Sequence, residues 1–155
     1  MSEEQTLMNM QLDVNAQFIK DLSFENPQIL KMLQASDQLP EIDIKINVNH
    51  TPLETKDTHE ISLIVQAKGT KSGADVFVLE LNYAGIFTIT NIDEKLLHPV
   101  LMIECPRILF PYVRNIISDL TRDCGYPPLL LKPVDFADLY RMRLEQMAAE
   151  PKGTA

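Results

Sequence analysis

The feature that most constrains this chain is a two-residue alternation of apolar and polar side chains that recurs four times before a helical period replaces it. In the first segment Met10, Leu12, Val14, Ala16 and Phe18 face one way, and Gln11, Asp13, Asn15 and Gln17 the other. The second sets Ile42, Ile44, Ile46 and Val48 against Glu41, Asp43, Lys45 and Asn47. The third sets Ile61, Leu63, Val65 and Ala67 against Glu60, Ser62, Gln66 and Lys68. The fourth, from Val76 to Tyr83, places Phe77, Leu79, Leu81 and Tyr83 on one face. Successive side chains of a strand point to opposite sides, so a period of two predicts four half-buried strands. Gly69-Thr70-Lys71-Ser72-Gly73 reads as a tight turn, which joins the last two strands as an antiparallel hairpin.

From Pro111 onward Val113, Ile116, Ile117 and Leu120 recur at helical spacing; Pro111 suits a first helical turn and Gly125 a stop. Tyr126-Pro127-Pro128 breaks the chain, and Asp135 then caps a last helix with Asp138 in its first turn. Phe136, Leu139, Tyr140, Arg143 and Met147 share a face of that helix. The linker from Gln28 to Leu39 holds at most a short helical turn. Past Gly85 the alternation fades into an apolar connector with Ile86, Phe87, Ile89 and Ile92, and the stretch from Leu96 to Ile103 fits either a strand or a short helix. Four strands followed by helices define an α+β fold, in which two helices or another subunit must cover the apolar sheet face. It is expected as one domain over residues 10–148, between flexible ends at 1–9 and 149–155.

A net charge of -8 repels phosphate backbones, so a basic partner fits this surface and nucleic acid does not. The first residues include Glu3 and Glu4 and no basic segment leads into an apolar run, so no signal peptide is expected. The apolar runs stop short of the ~18 residues that a membrane helix needs, so no membrane insertion is expected. Cys105 and Cys124 form neither a CxxC pair nor a disulfide framework, which suits a reducing cytosol, and they read as buried apolar thiols. His50, His59 and His98 are scattered along the chain without metal-ligand spacing. The stretch from Gly69 to Gly73 lacks the spacing and the following helix of a phosphate loop, and Gly-x-Ser-x-Gly does not occur. No catalytic residue, cofactor or metal site is therefore expected, and the chain is read as something other than an enzyme.

Two surfaces remain. The outward strand positions collect Asp13, Asp21, Glu41, Asp43, Glu60 and Glu80, opposed chiefly by Lys45 and Lys68. They form either an ordinary solvated face or a dock for a basic partner. The apolar positions, with Leu22, Phe24, Ile86, Phe87, Ile89 and Ile92 added, exceed what two short helices can cover. They make a core, an oligomer interface, or a groove for extended apolar segments of another chain. A small enzyme or ligand-binding domain would need convergent polar groups inside such a groove. A purely structural oligomerisation domain would bind no client.

Four segments then resemble the SecB family of protein-export chaperones. Lys20-Asp21-Leu22-Ser23-Phe24-Glu25-Asn26-Pro27 is similar to its early Lys-Asp-x-Ser-Phe-Glu-x-Pro, and Gly85-Ile86-Phe87 to its Gly-x-Phe after the fourth strand. The run from Cys105 to Arg114 resembles its Cys-Pro-x-x-Leu-Phe-Pro-Tyr-x-Arg, and Pro133-Val134-Asp135-Phe136 its lead into the last helix. The matches follow the family's order over roughly residues 10 to 145. The resemblance implies an α+β fold with a four-stranded antiparallel sheet followed by two helices, assembled as a homotetramer, a dimer of dimers. It implies a cytoplasmic, ATP-independent holdase that keeps precursor polypeptides unfolded and passes them to the motor ATPase SecA. It places motor contacts at Asp21, Glu25, Val78 and Glu80, and client or oligomer contacts at Phe77, Leu79, Leu81 and Tyr83. The chain departs from its relatives at Gln38, where they often carry Trp, and at Leu79 and Tyr83, where they can carry Cys and Gln.

Overall fold

The computed structural model describes residues 2–34 and 39–149; Gln38 and the tail from residue 150 lie outside them. A short helix, α1 (Glu3–Asn9), leads into β1 (Gln11–Glu25). Then come α2 (Ile29–Gln34), β2 (Glu41–Pro52), β3 (Thr58–Lys71) and β4 (Ala74–Thr90). The strands pair antiparallel throughout in the order β1-β4-β3-β2. The expected α+β architecture, an antiparallel sheet followed by two principal helices, is the one the chain adopts.

The β3–β4 hairpin is tighter than the sequence suggests. Lys71 already pairs with Ala74, which leaves Ser72 and Gly73 alone in the turn, both at positive φ (52° and 79°). That is the mirror-image two-residue turn whose twist matches the strands it joins. The fourth strand also runs on past Tyr83 to Thr90, so Phe87 and Ile89 are core residues of a strand and not part of a connector. The alternation only seemed to fade there because the outward positions Ala84 and Ile86 are apolar too.

In β1 the simple alternation fails. Asn15 and Lys20 are extra residues, each a bulge in the ladder with β4. One bulge turns every following side chain to the other face of the sheet. Ala16 and Phe18 therefore lie opposite Ile86 and Ala84 on the outer face, while Gln17 and Ile19 turn inward opposite Gly85 and Tyr83. The second bulge reverses the first, so Asp21 points outward as expected and Leu22 and Phe24 point inward.

The helical layer begins earlier than Pro111. Asp93 caps α3 (Glu94–Pro99) by accepting from Lys95 N at 3.0 Å. A single π-turn over Val100–Glu104 leads without a break into α4 (Cys105–Asp123), and Pro111 lies inside that helix. Proline removes a donor and its ring collides with the carbonyl one turn back. The wider turn, in which Cys105 N reaches Val100 O, moves aside the carbonyls that Pro106 would otherwise meet. By length and composition the run Glu94–Asp123 could cross a membrane; 44% of its most apolar window is buried inside the fold, where one stripe of α4 packs on the sheet.

Cys105, Leu109, Val113, Ile117 and Thr121, spaced by four, form the buried stripe of α4. They seal the inner side of β3 and β4, where Ile61, Leu63, Val65, Leu79, Leu81 and Phe87 are at most 1% exposed. Each such side chain contributes roughly 1.5–3 kcal/mol when removed from water. The last helix, α5 (Phe136–Ala149), is held more lightly. Asp135 accepts from Asp138 N at 3.0 Å, and Phe136 packs edge-on against Phe110 at 5.9 Å. The Arg143 guanidinium donates to the Val48 carbonyl on β2.

Helix α4 packs close over the sheet at Gly85. A Cβ there would stand 2.7 Å from the Phe87 ring and 3.0 Å from Leu109. Gly85→Ala is expected to lower unfolding stability by about 1–3 kcal/mol through overpacking, read as a lower urea midpoint at unchanged slope.

Candidate functional site: an apolar cleft and an acidic sheet face

Phe24 at the end of β1 stacks on Phe77 of β4 at 5.3 Å, with the rings only 14° apart. Tyr126, just past α4, packs on Phe77 at 5.0 Å. This triad closes one side of a cleft of about 170 Å³ lined by Leu39, Pro40, Ile42, Phe77, Thr121, Tyr126, Pro127, Pro128 and Leu129. The lining is apolar, and its two hydroxyl groups are already engaged. Thr121 Oγ1 donates to Ile117 O at 2.8 Å and accepts from Leu129 N at 2.9 Å; Tyr126 Oη donates to Asn26 Oδ1 at 2.6 Å. No free side-chain polar group remains among these residues to orient a small reacting ligand, so the cleft offers mostly apolar contact area to an apolar segment.

Of the expected inner-face residues, Leu79 and Leu81 are sealed in the core beneath α4, and Phe77 alone reaches the cleft. Tyr83 is 7% exposed and stacks on Tyr112 at 6.1 Å, at the border where the helix stops covering the sheet. Burial raises the Tyr83 pKa, with Tyr112 adding to it, so the phenol stays neutral. Beyond that border Val14, Ile19 and Leu22 of β1 point inward yet are 38–47% exposed. A further apolar hollow of about 560 Å³ opens between Met10 and Leu12 and the α3–α4 helix. Tyr126, Pro127 and Pro128 read in the sequence only as a chain break. An aromatic followed by two prolines is also a rigid apolar wall, and that was the signal available.

Asp21, Glu25, Val78 and Glu80 come together on the outer face, where Glu25 lies opposite Val78, Ser23 opposite Glu80 and Asp21 opposite Asn82. Gln66 donates to Glu80 at 3.0 Å. Of the nearby lysines, Lys20 pairs with Glu60 at 2.5 Å and Lys68 with Asp75 at 3.3 Å, while Lys45 lies on β2 opposite Gln66, across β3 from Glu80. Among the described residues Asp21, Glu25 and Glu80 have no cationic partner, so their charge projects into solvent.

With the geometry in hand, the comparison with known proteins is decisive. The family model described as preprotein translocase subunit SecB matches residues 4–147. The chain belongs to the SecB family. A protein-export protein SecB of Bradyrhizobium diazoefficiens is 51% identical over 140 residues, covering 90% of this chain and 86% of the relative. Counterparts from Maricaulis maris (46% identical, 93% and 83% covered) and Paramagnetospirillum magneticum (48%, 90% and 90%) agree. Among solved structures, a SecB-like chaperone of Mycobacterium tuberculosis in complex with an antitoxin peptide shares the fold, with a TM-score of 0.62 at 14% identity over 80% of this chain and 91% of that one. This SecB-family chain is thus a chaperone of preprotein export, not an enzyme.

The histidines, scattered in sequence, meet in space. His50 Nε2 lies 2.8 Å from His59 Nδ1, the His50 and His98 rings are 6.3 Å apart, and His98 Nδ1 lies 2.9 Å from Tyr140 Oη. They form no three-ligand group able to hold a metal among the described residues. The thiolate form is disfavoured at both cysteines: burial, with Glu104 adding, pushes Cys105 up to about 12, and burial, with Asp123 adding, raises Cys124.

Burial lowers the pKa of His50, with His59 and His98 repelling a further proton; burial also lowers that of His59, partly offset by Asp57. The unfolded chain, with ordinary histidines near 6.5, binds protons first as pH falls. The stability from the neutral pair is therefore present above about pH 6.5 and lost as pH falls through the lower folded-state values. Urea unfolding from pH 8 to pH 5 should show that loss, and His50→Gln with His59→Gln together should flatten the slope through this window.

Proposed function

We propose that the chain is a cytoplasmic, ATP-independent holdase that assembles as a dimer of dimers. It holds unfolded precursor polypeptides on its apolar surfaces and passes them to the SecA motor ATPase, which docks on the outer sheet face at Asp21, Glu25, Val78 and Glu80. The observation that carries the reading is the aromatic-walled cleft with no free side-chain polar group, together with exposed apolar residues on both edge strands: Ile42 and Ile44 on β2; Val14, Ile19 and Leu22 on β1. An extended client chain suits the first surface. A second copy suits the β1 strip and the hollow beside it. The Mycobacterium tuberculosis neighbour, solved with a peptide, supports peptide capture by this fold. Many weak apolar contacts spread over several subunits supply affinity through avidity, and no nucleotide step is needed for capture.

Ile42 lines the cleft and is 42% exposed, so a change there spares the core. Wild-type protein should capture a slow-folding precursor without nucleotide on size-exclusion chromatography with light scattering, which also reads the four-chain mass. Ile42→Glu should weaken capture about tenfold or more, because an ionised carboxylate must lose water to enter an apolar contact. Capture that requires ATP, or is indifferent to Ile42→Glu, would contradict the reading.

Motor docking on the acidic face should depend on charge. The Debye length shrinks from ~10 Å at 0.1 M salt to ~3 Å at 1 M, so affinity should fall steeply over that range. Glu80→Lys should weaken motor binding by on the order of tenfold while client capture survives, since Glu80 is exposed on the face away from the cleft. A binding titration that responds to neither salt nor Glu80→Lys would place the dock elsewhere.

A further inference from the structure

Asn26 stands between the last residue of β1 and Pro27, in a stretch with no strand or helix to fix it. Its carboxamide is nevertheless used at both ends. Nδ2 donates to the Cys124 carbonyl at 2.9 Å, and Oδ1 accepts from the Tyr126 hydroxyl at 2.6 Å. The orientation is unambiguous, because a carbonyl only accepts and the nitrogen must therefore face Cys124. That carbonyl is one of the unpaired groups at the end of α4. Between the two anchored residues, Gly125 takes φ +97, and a Cβ on it would stand 2.9 Å from Ile29 Cδ1 of α2. The end of β1, the start of α2 and the end of α4 are thus joined at one half-buried point, 98 to 100 residues apart in sequence.

We propose that Asn26 is a positioning residue for the client cleft, a clasp that holds the Tyr126 ring as its aromatic wall and so sets the preference for aromatic over aliphatic client segments. This rests on the cleft being the client site. Tyr126 is 8% exposed and contacts Phe77 at 5.0 Å; its ring can present a fixed face to a client ring only while its hydroxyl is held. No other common side chain repeats the clasp. Aspartate cannot donate to the Cys124 carbonyl, alanine offers nothing, and glutamine is one methylene too long for both distances. Aliphatic segments need only dry area and are less sensitive to the exact plane of the ring.

The test uses the full chain and two labelled extended peptides of equal length and charge, one carrying Phe and Tyr, the other only Leu and Val. Anisotropy titrations should show Asn26→Ala weakening the aromatic peptide about tenfold and the aliphatic one less than about threefold. Tyr126→Phe, which removes only the hydroxyl, should shift selectivity in the same direction, and the double variant should be no worse than Asn26→Ala alone. Tyr126→Phe keeps the test decisive if Asn26→Ala does not fold. Ile42→Glu separates the two readings. If it abolishes binding of both peptides while Asn26→Ala and Tyr126→Phe leave their ratio unchanged, the clasp is overturned and the cleft stands. If it changes neither peptide, the cleft is not the client site and the clasp falls with it. A lower urea midpoint for Asn26→Ala at unchanged selectivity also overturns the proposal, because it leaves Asn26 a purely structural role.

Discussion

One helix lies across four strands, and most of this molecule follows from the mismatch in width. A helix with its side chains is about 10–12 Å across, while strands sit about 4.8 Å apart. The α4 stripe can therefore seal the two middle strands and little more. The order β1-β4-β3-β2 places the most apolar strands, β3 and β4, under that stripe and leaves the inward residues of β1 and β2 at its margins. The exposure of Val14, Ile19 and Leu22 on one side, and of Ile42 and Ile44 on the other, is the geometric remainder of a single-helix cover.

The two margins are not equivalent. On the β2 side Phe77, Tyr126, Pro127, Pro128, Leu39 and Pro40 turn exposed strand into a bounded cleft. On the β1 side the strip stays open, with Tyr112 at 51% exposure beside it. A bounded, apolar concavity suits a flexible chain that arrives in pieces. An open strip on an edge strand suits a rigid surface of matching shape. The outer face needs no cover, because its polar positions are hydrated, and Asp21, Glu25 and Glu80 there keep their charge unpaired among the described residues.

How much of this was legible in the sequence depended on whether one residue decided one thing. The alternation in β2, β3 and Phe77–Tyr83 of β4 gave both strand and face correctly, because the one bulge of the β3–β4 ladder, at Val76, falls before that run. In β1 it failed at Ala16 and Phe18, since a bulge leaves no mark in an apolar–polar pattern. Pro111 pointed to a helix start, but Pro106 already occupies the first turn of α4 and Pro111 lies inside that helix. Leu79 and Leu81 carried a resemblance-based role in binding but are sealed in the core, because which part of an apolar face is covered depends on where the helix lies. The cleft itself draws on residues from 39 to 129, and the histidine cluster on residues from 50 to 140; only the folded chain brings such distant positions together.

The distribution of aromatic residues has a practical side. The chain contains no tryptophan, and its four tyrosines occupy three separate joints. Tyr83 and Tyr112 stack at the uncovered margin, Tyr126 walls the cleft, and Tyr140 meets the histidine cluster. The protein is therefore dark at the wavelengths where indole is excited selectively. A client's own tryptophan can be followed inside the complex without a label, and its blue shift would report how dry its surroundings become. Near-ultraviolet signals from the single-site tyrosines, compared through phenylalanine substitutions, would resolve which joint a bound chain disturbs.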